Sequence, residues 1–220
     1  MISKCWHTFL DLLYPPKCPA CKKAVYEHGA WCQPCLGRIL SVRKINVLEH
    51  KLAFLDSCQV VCEYGGGLKA ILHDMKFRQQ RRYAIHLRWL LQQSIKAIEF
   101  PRSSYVIPVP LHQERLKERG FNQTEVIFKE WAIEGELRWR PYLLERTRFT
   151  MPQWELNLVE RKGNLKGAFG VRGGEDIKNK NIILVDDIIT TGITLDECAK
   201  VLKKAGAASV QGLTIASGSP

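Results

Sequence analysis

The chain has 220 residues, enough for one full α/β core with a small appendage. Hydrophobic residues make up 45% and charged residues 25%, as in an ordinary globular protein, but the formal net charge of +11 is unusual and indicates anionic partners, either phosphorylated metabolites or nucleic acid. No apolar run approaches the roughly 18 residues that a membrane span needs, so the sequence predicts no membrane insertion.

The N-terminal segment MISKCWHTFLDLLYPP predicts a short amphipathic helix, with Trp6, Phe9, Leu10 and Leu13 on one face. Asp11 interrupts its apolar stretch and no small-residue cleavage site follows, so the segment is a poor signal peptide. We therefore expect a cytoplasmic protein. In that compartment the eight cysteines are expected to be reduced or metal-bound rather than disulfide-bonded.

Two C-x-x-C pairs come next, separated by ten residues. Four thiolates in two such pairs form a closed tetrahedral zinc site, and a metal lets a segment of about 30 residues fold without a large core. The alternative is a redox pair, but two copies without a thioredoxin-like strand pattern favour zinc. We predict a structural Zn²⁺ with these ligands: Cys18, Cys21, Cys32 and Cys35. The other four cysteines lie on apolar patterns and are predicted core residues: Cys5, Cys58, Cys62 and Cys198.

Residues 36–77 contain several predicted elements and one lysine of interest, Lys76. Residues 36–56 are predicted to be a polar, basic connection, and Ser57–Tyr64 a strand. The triple glycine at 65–67 lacks the Gly-Lys-Ser/Thr ending of a P-loop, so it favours a plain turn over a phosphate loop. A helix is predicted over 68–77. Near its end lies Lys76, which the residues alone explain as a solvated helix-end cation.

A pair of arginines follows in the middle of the chain. An amphipathic helix is predicted over 82–98, then a strand from Tyr105 that later prolines end. On the next short helix Arg115 and Arg119 are four residues apart and Gly120 ends it. Two guanidinium groups on one face are suited to a diphosphate. In the alternative they belong to a solvated face and pair with the glutamates that precede each of them.

The clearest pattern lies in the last forty residues. Ile182–Val185 is a continuous apolar run, typical of a strand buried on both faces of a parallel sheet. Asp186 and Asp187 end the run, Thr-Thr-Gly-Ile-Thr follows at 190–194, and a predicted helix then runs to Gly206. Strand, polar loop and helix in this order place the loop at the carboxyl end of a sheet strand, where open α/β folds bind ligands.

The residue types in this pattern predict a particular ligand. Hydroxyls, a glycine and the amides of a starting helix form a phosphate cradle: Thr190, Thr191, Gly192 and Thr194. Asp186 and Asp187 would repel a phosphate that they faced, but they are suited to accept hydrogen bonds from vicinal sugar hydroxyls. One phosphate and two neighbouring hydroxyls define a ribose 5-phosphate. The alternative, an ordinary buried strand with a threonine-rich N-cap, accounts less well for all these features in register.

The same stretch resembles the phosphoribosyl pyrophosphate (PRPP) binding motif of type I phosphoribosyltransferases. The string PVPLHQERLKERGFNQ at 108–123 resembles the signature of the ComF family of competence-associated proteins, and the resemblance extends from about Cys18 to the end of the chain. It implies an α/β fold, a type I phosphoribosyltransferase-like parallel sheet flanked by helices with a small N-terminal zinc ribbon. We expect the helix and ribbon at 1–36 and the phosphoribosyltransferase-like domain at 37–220.

The resemblance also implies roles for named residues. Asp186 and Asp187 would be catalytic, holding the ribose hydroxyls and the shell of a Mg²⁺ that accompanies PRPP, while the 190–194 loop holds the 5-phosphate. The departing pyrophosphate would be neutralised by three cations: Arg115, Arg119 and Lys76. In type I phosphoribosyltransferases a mobile loop precedes the PRPP strand, and the basic segment 146–169 occupies that position. From it Arg161 or Lys162 would close over the site.

Two functions follow as expectations. In the first, a nitrogen nucleophile displaces pyrophosphate from Mg²⁺-bound PRPP through an oxocarbenium-like ribose, in a protein that supports DNA uptake in natural competence. The basic segment also resembles amidophosphoribosyltransferases, but the chain has no room for their glutaminase domain, so glutamine-dependent transfer is not expected. In the alternative, the fold handles single-stranded nucleic acid without turnover. The expected partners are thus PRPP or a related ligand, single-stranded DNA and the competence machinery.

Overall fold

A six-stranded sheet forms the centre of the protein. The structure, a computed structural model, describes residues 13–94, 97–98, 100–101, 103–148, 163–173 and 176–218. The strands of the central sheet are β1 (Leu40–Ile45), β2 (Ser57–Glu63), β3 (Tyr105–Pro108), β4 (Arg138–Trp139), β7 (Asn181–Ile189) and β8 (Ser209–Ser217). They lie in the order β1-β2-β8-β7-β3-β4. All neighbours are parallel except β1 and β2, so the predicted mainly parallel α/β fold is confirmed.

Helices and a small second sheet cover both faces of the central sheet. The helices are α1 (Gln33–Ile39), α2 (Gly66–Phe77), α3 (Ala84–Ser94), α4 (Gln113–Arg119), α5 (Gln123–Glu134) and α6 (Ile193–Lys204), with a 3-10 turn at Arg81–Tyr83. The second sheet pairs β5 (Leu144–Arg146) with β6 (Phe169–Val171). One core joins α2, α3 and α5 to Ile183 and Val185 of β7, and the other joins α6 and the small sheet to Ile182 and Leu184. Because alternate residues of β7 enter different cores, its apolar run is continuous.

The cysteine-rich segment packs into the first of these cores. Trp31 is 2% exposed, and its Nε1 donates to the carbonyl oxygen of His86 in α3 at 3.1 Å. Trp89, also in α3, donates from Nε1 to a carboxylate oxygen of Glu27 at 2.6 Å. The cysteine-rich segment and the sheet therefore share one core, and the domain boundary at residue 36 stays a prediction.

The triple glycine belongs to α2, which begins earlier than the predicted residue 68. Gly65 is the N-cap of this helix, and Gly66 has a left-handed φ of +48°. Gly67 lies against the cysteine-rich segment, since a Cβ there would come within 2.2 Å of the Cβ of Ala20. A glycine at this position lets the two backbones approach closely.

Two predictions about strands are wrong. The segment 36–56 is not a plain connection, because it contains the edge strand β1, which pairs antiparallel with β2. Most of β1 is only partly buried, so no apolar alternation marks it in the sequence. The other error concerns β7, which does not end at Val185 but continues to Ile189 in register with β8. Asp186 and Asp187 therefore lie on the strand rather than in the loop after it.

No helix among the described residues is long and apolar enough to cross a membrane. The prediction that Cys58, Cys62 and Cys198 are core residues is confirmed, since all three are buried. Cys5 and all but the last residue of the predicted N-terminal helix lie outside the described residues.

Candidate functional site

The strands β3 and β7 are adjacent and parallel, but the connections that follow them lead to opposite sides of the sheet. After β3 the chain passes through α4 and α5 and returns as β4 on one side, and after β7 it passes through α6 and returns as β8 on the other. Such a reversal opens a crevice at the carboxyl ends of the two strands. The last paired residue of β3, Pro108, lies level with Val185. Asp186 and Asp187 come directly after this level, so both lie at the crevice.

Asp187 is paired with Lys76 from the last turn of α2. The Lys76 Nζ lies 3.1 Å from Oδ2 and 3.3 Å from Oδ1 of Asp187, whose side chain is only 3% exposed. Burial lowers the pKa of Lys76, but the charges of Asp187 and Asp186 raise it by more, so the ammonium group stays protonated. In this structure the candidate phosphate contact Lys76 therefore neutralises a carboxylate, and its contact with a phosphate stays a prediction.

Asp186 accepts hydrogen bonds from its own strand and from α5. Its Oδ1 accepts hydrogen bonds from the amide of Asp187 at 2.8 Å and from Oγ1 of Thr124 at 3.3 Å. Thr124 is positioned by the N-cap of α5, where Asn122 Oδ1 accepts from the Thr124 amide. Burial and the neighbouring Asp187 charge raise the pKa of Asp186 to about 7. A cation bound beside the pair would favour its ionised form.

The two arginines of α4 have different surroundings. Arg119 donates from Nη1 to Oε1 of Gln123, in the first turn of α5. Burial lowers the pKa of Arg119, and the charge of Asp187 opposes this, so the guanidinium lies within electrostatic reach of the carboxylates. Arg115 forms an ion pair with Glu118 at 2.9 Å, as in the alternative that the sequence left open. The structure thus brings Arg119 close to the pair, whereas Arg115 is paired on the helix surface.

Arg146 is a further cation at this site; it begins the basic segment 146–169, but the sequence assigned it no role of its own. It ends β5 opposite Phe169 of β6, and its guanidinium lies 5.5 Å from the centre of the Phe169 ring. Burial lowers the pKa of Arg146, while the charges of Cys198 and Asp186 oppose it. The small sheet therefore brings a third cation toward the carboxylates. The sequence signal is weak because Arg146 is one of many basic residues in its segment.

The predicted phosphate cradle connects β7 to α6. Gly192 is the N-cap of α6 with φ of +76°, a conformation that glycine adopts without strain. Thr190 is exposed, and Thr191 and Thr194 are half-buried. The first amides of an α-helix have no acceptor within the helix, so those of α6 are available donors beside these hydroxyls. Arg161 and Lys162, which the resemblance placed over this site, lie outside the described residues.

One side of this turn is closed by the segment before β2. A Cβ on Gly192 would lie 2.6 Å from Cδ1 of Leu52. Asp196, in the first turn of α6, accepts at one carboxylate oxygen from the amides of Phe54 at 2.7 Å and Leu55 at 3.1 Å. Gly192 is therefore required by packing as well as by its backbone conformation, and the turn is rigidly placed.

The four predicted zinc ligands come together. Their sulfur atoms all lie within 4.8 Å of one another: Cys18, Cys21, Cys32 and Cys35. Zn–S bonds of about 2.3 Å place the sulfurs of a tetrahedral site about 3.8 Å apart, so the set fits zinc. Tight turns present both pairs, with the Lys22 amide donating to the Cys18 carbonyl and the Leu36 amide to the Cys32 carbonyl, each at 2.9 Å. Burial opposes ionisation of Cys18, but backbone hydrogen bonds lower its pKa to about 6.

Known proteins match both parts of this fold. A family model described as the phosphoribosyl transferase domain matches residues 147–219, and one described as the double zinc ribbon domain matches residues 9–45. The DNA utilization protein YhgH of Salmonella typhi is 32% identical over 208 residues, which cover 88% of this chain and 87% of that protein. The chain belongs to the ComF family.

Two further relatives of this ComF protein span most of its length. Competence protein F of Haemophilus influenzae is 26% identical over 201 residues, covering 89% of this chain and 82% of that protein. Competence protein ComFC of Streptococcus pneumoniae is 28% identical over 212 residues, covering 96% and 84%. The double zinc ribbon match and the four clustered thiols together support a structural Zn²⁺ in the ComF protein.

Proposed function

We propose that this ComF protein binds Mg²⁺-bound PRPP in the crevice between β3 and β7 and acts in DNA uptake during natural competence. The observation that carries the proposal is a pair of carboxylates at the carboxyl end of β7, with Lys76 in contact with Asp187 and with Arg119 and Arg146, from two other elements, within electrostatic reach. A site for a ligand with ribose hydroxyls at one end and a diphosphate at the other requires both signs of charge side by side. The names of the ComF relatives, which refer to DNA utilization and competence, support the biological role.

The carboxylate pair also suits Mg²⁺, which prefers oxygen ligands. Asp187 Oδ2 is buried and, despite its ion pair with Lys76, makes no hydrogen bond of good geometry within the described part of the chain. Together with the half-buried Asp186, it offers oxygen atoms to a hard cation or to its water shell. When bound, Mg²⁺ would supply positive charge that neutralises the pyrophosphate.

In the proposed reaction, different residues bind the ribose, the 5-phosphate and the leaving pyrophosphate. Asp186 and Asp187 orient the ribose through its hydroxyls, and the threonines and amides of the 190–194 turn hold the 5-phosphate. A bond forms between the nucleophile nitrogen and C1′ of the ribose, while the bond from C1′ to the pyrophosphate oxygen breaks and its electron pair leaves with pyrophosphate. Arg119, Lys76 and Arg115 stabilise that leaving group. The nucleophile contributes its own nitrogen, without glutamine.

Calorimetric titration with Mg²⁺ and PRPP tests the ligand assignment. We expect the native protein to bind and Asp186→Asn/Asp187→Asn to bind at least about tenfold more weakly, a loss of about 1.4 kcal/mol. Asp176→Asn is the matched control, because Asp176 is exposed and lies before the amino end of β7, whereas the crevice lies at the carboxyl end. Absence of binding by the native protein would refute the assignment. Release of pyrophosphate on addition of ammonia or nucleobases then tests turnover separately.

The alternative function, nucleic-acid handling without turnover, is compatible with the net charge of +11, which a site for a phosphorylated metabolite explains as well. It predicts an affinity for single-stranded DNA that falls steeply with salt, since neutralising phosphates releases counterions. Anisotropy of a labelled oligonucleotide over a salt series measures this slope. A flat plot of log affinity against log salt concentration argues against a phosphate-backbone mode.

A further inference from the structure

A second cavity, separate from the carboxylate crevice, lies between α3 and α5. Its volume is about 550 Å³, within the range of small-molecule sites. The 3-10 turn and the first turns of α3 form one wall, and the exposed side of α5 forms the other. Neither Asp186 nor Asp187 lines it, so this cavity is not part of the proposed PRPP site.

The lining of the cavity is positively charged. Four cations line it, together with two carboxylates: Arg81, Arg82, Arg88, Lys129, Glu125 and Glu130. Arg88 and Glu130 form an ion pair with each other. Within the part of the chain that the structure describes, Arg81, Arg82 and Lys129 form no ion pair, and Arg81 and Arg82 are exposed. Because Lys129 also interacts with the charge of Glu125, the uncompensated positive charge that an anion would meet is that of Arg81 and Arg82.

Arg88 differs from the other cations of the cavity because its side chain is mostly buried. Its side chain is 20% exposed, and its Nε is buried without a hydrogen-bond acceptor among the described residues. A guanidinium has five N–H donors, and the ion pair with Glu130 does not use all of them, so Arg88 keeps donors for a ligand oxygen at the cavity wall. Ala84 and Ile85, the first residues of α3, add the positive end of an 11-residue helix to the same wall.

We propose that this cavity binds a phosphate ester, carried either by a free nucleotide or by the backbone of a single-stranded nucleic acid. Phosphate oxygens accept several hydrogen bonds at once, as the guanidinium groups require. Ile85 and Val126 supply apolar surface for the sugar or base. This second site does not depend on PRPP binding.

The first turn of α5 connects the two sites. Its residues Gln123 and Thr124 contact Arg119 and Asp186 in the crevice, and the next two residues of the helix line the cavity. A ligand that orders this turn from the cavity side would also order the carboxylate side. Phosphate esters are therefore expected to change the affinity for PRPP, and PRPP to change theirs by the same factor.

The test is a charge reversal at the two exposed arginines, Arg81→Glu/Arg82→Glu. Anisotropy of a labelled 12-nucleotide oligothymidylate and calorimetry with thymidine 5′-monophosphate measure binding. We expect the reversal to weaken binding at least about tenfold. The control Lys178→Glu/Lys204→Glu changes the net charge equally, and both of these exposed lysines lie near the amino ends of the strands. It is expected to stay within about threefold of the native protein.

The outcomes separate the sources of the phosphate. Arginine-dependent binding of the mononucleotide supports a free-nucleotide site, and arginine-dependent binding of the oligonucleotide alone supports a nucleic-acid backbone. The proposal is overturned if the native protein binds neither probe, or if the reversal binds both as tightly as the control. Circular dichroism and thermal denaturation show whether the variant is folded, and its titration with Mg²⁺ and PRPP bears on the proposed function separately.

Discussion

Lys76 and Asp187 are 111 residues apart in the chain, yet they form the ion pair that joins the end of α2 to the carboxyl end of β7. Asp187 is almost fully buried, with 3% of its side chain exposed. A buried carboxylate that loses its counter-ion is strongly unfavourable. This pair therefore links the stability of the fold to the charge of the candidate site.

Replacing Lys76 while Asp187 is kept should destabilise the protein. In Lys76→Met, Asp187 stays buried and unpaired, so the free energy of unfolding is expected to fall by about 1–3 kcal/mol in urea denaturation. Lys76→Met/Asp187→Asn should recover most of the loss, because no charge is then left unpaired. Lys117→Met, at an exposed lysine of α4, is the control. Equal stability of Lys76→Met and Lys117→Met would contradict this role of the pair.

The raised pKa of Asp186 predicts a pH dependence of stability. Burial and the Asp187 charge raise it to about 7 in the folded protein, against about 3.9 in an unfolded chain. The folded state thus binds the proton more tightly, and the Asp186 contribution to the free energy of unfolding declines as pH rises from about 4 to about 7. Urea denaturation at pH 5 and pH 7.5 should show a smaller decline in Asp186→Asn. Identical pH profiles would count against the shift.

Gly192 should not tolerate a side chain. Its φ is +76° and a Cβ would meet Leu52 at 2.6 Å, so Gly192→Ala is expected to cost about 1–3 kcal/mol of stability. Adding Leu52→Ala should relieve the clash but not the backbone strain. Gly37→Ala in α1 is the matched control, because a Cβ added there would meet no atom within 4 Å and alanine favours a helix by up to about 1 kcal/mol. Thermal denaturation of the three variants measures these differences.

Zinc binding should be needed to keep the cysteine-rich segment packed into the core that it shares with α2, α3 and α5. Elemental analysis is expected to find about one zinc per chain in the native protein and much less in Cys35→Ser. Loss of the metal should expose Trp31, which is 2% exposed, and shift tryptophan fluorescence to longer wavelength. Cys62→Ala removes a buried thiol that is no ligand, so it should keep its zinc. A full zinc content in Cys35→Ser would exclude the four-cysteine site.

Arg146 should contribute to binding of the proposed ligand. Its side chain is half-buried and within electrostatic reach of Asp186, so Arg146→Ala is expected to weaken binding of Mg²⁺ and PRPP by about tenfold in calorimetry. Arg172→Ala removes a guanidinium from the same small sheet region, but one that is 57% exposed and paired with Glu145. That control should bind as the native protein does. Equal affinities for the two variants would remove Arg146 from the site.

Several local features were predictable because neighbouring residues alone produce them. Gly120 ends α4 in the left-handed conformation with φ of +80°, and Asn122 caps α5, both as their sequence context predicts. The clustering of the four cysteines was predictable for a similar reason, since each C-x-x-C pair forms its own tight turn. By contrast, β1 is stabilised by pairing with β2, and its sequence carries no apolar alternation that reveals this.

The sequence by itself determined the chemistry available at the carboxyl end of β7: two carboxylates, a threonine-rich turn and a helix start, all in one short stretch. Only the tertiary structure decided which cations meet them. Arg119 and Arg146 approach the carboxylates while Arg115 pairs with Glu118, although all three are arginines in basic segments. The reason is that electrostatic interaction depends on distance and burial in space, and these are set by the packing of α2, α4 and the small sheet around the end of β7.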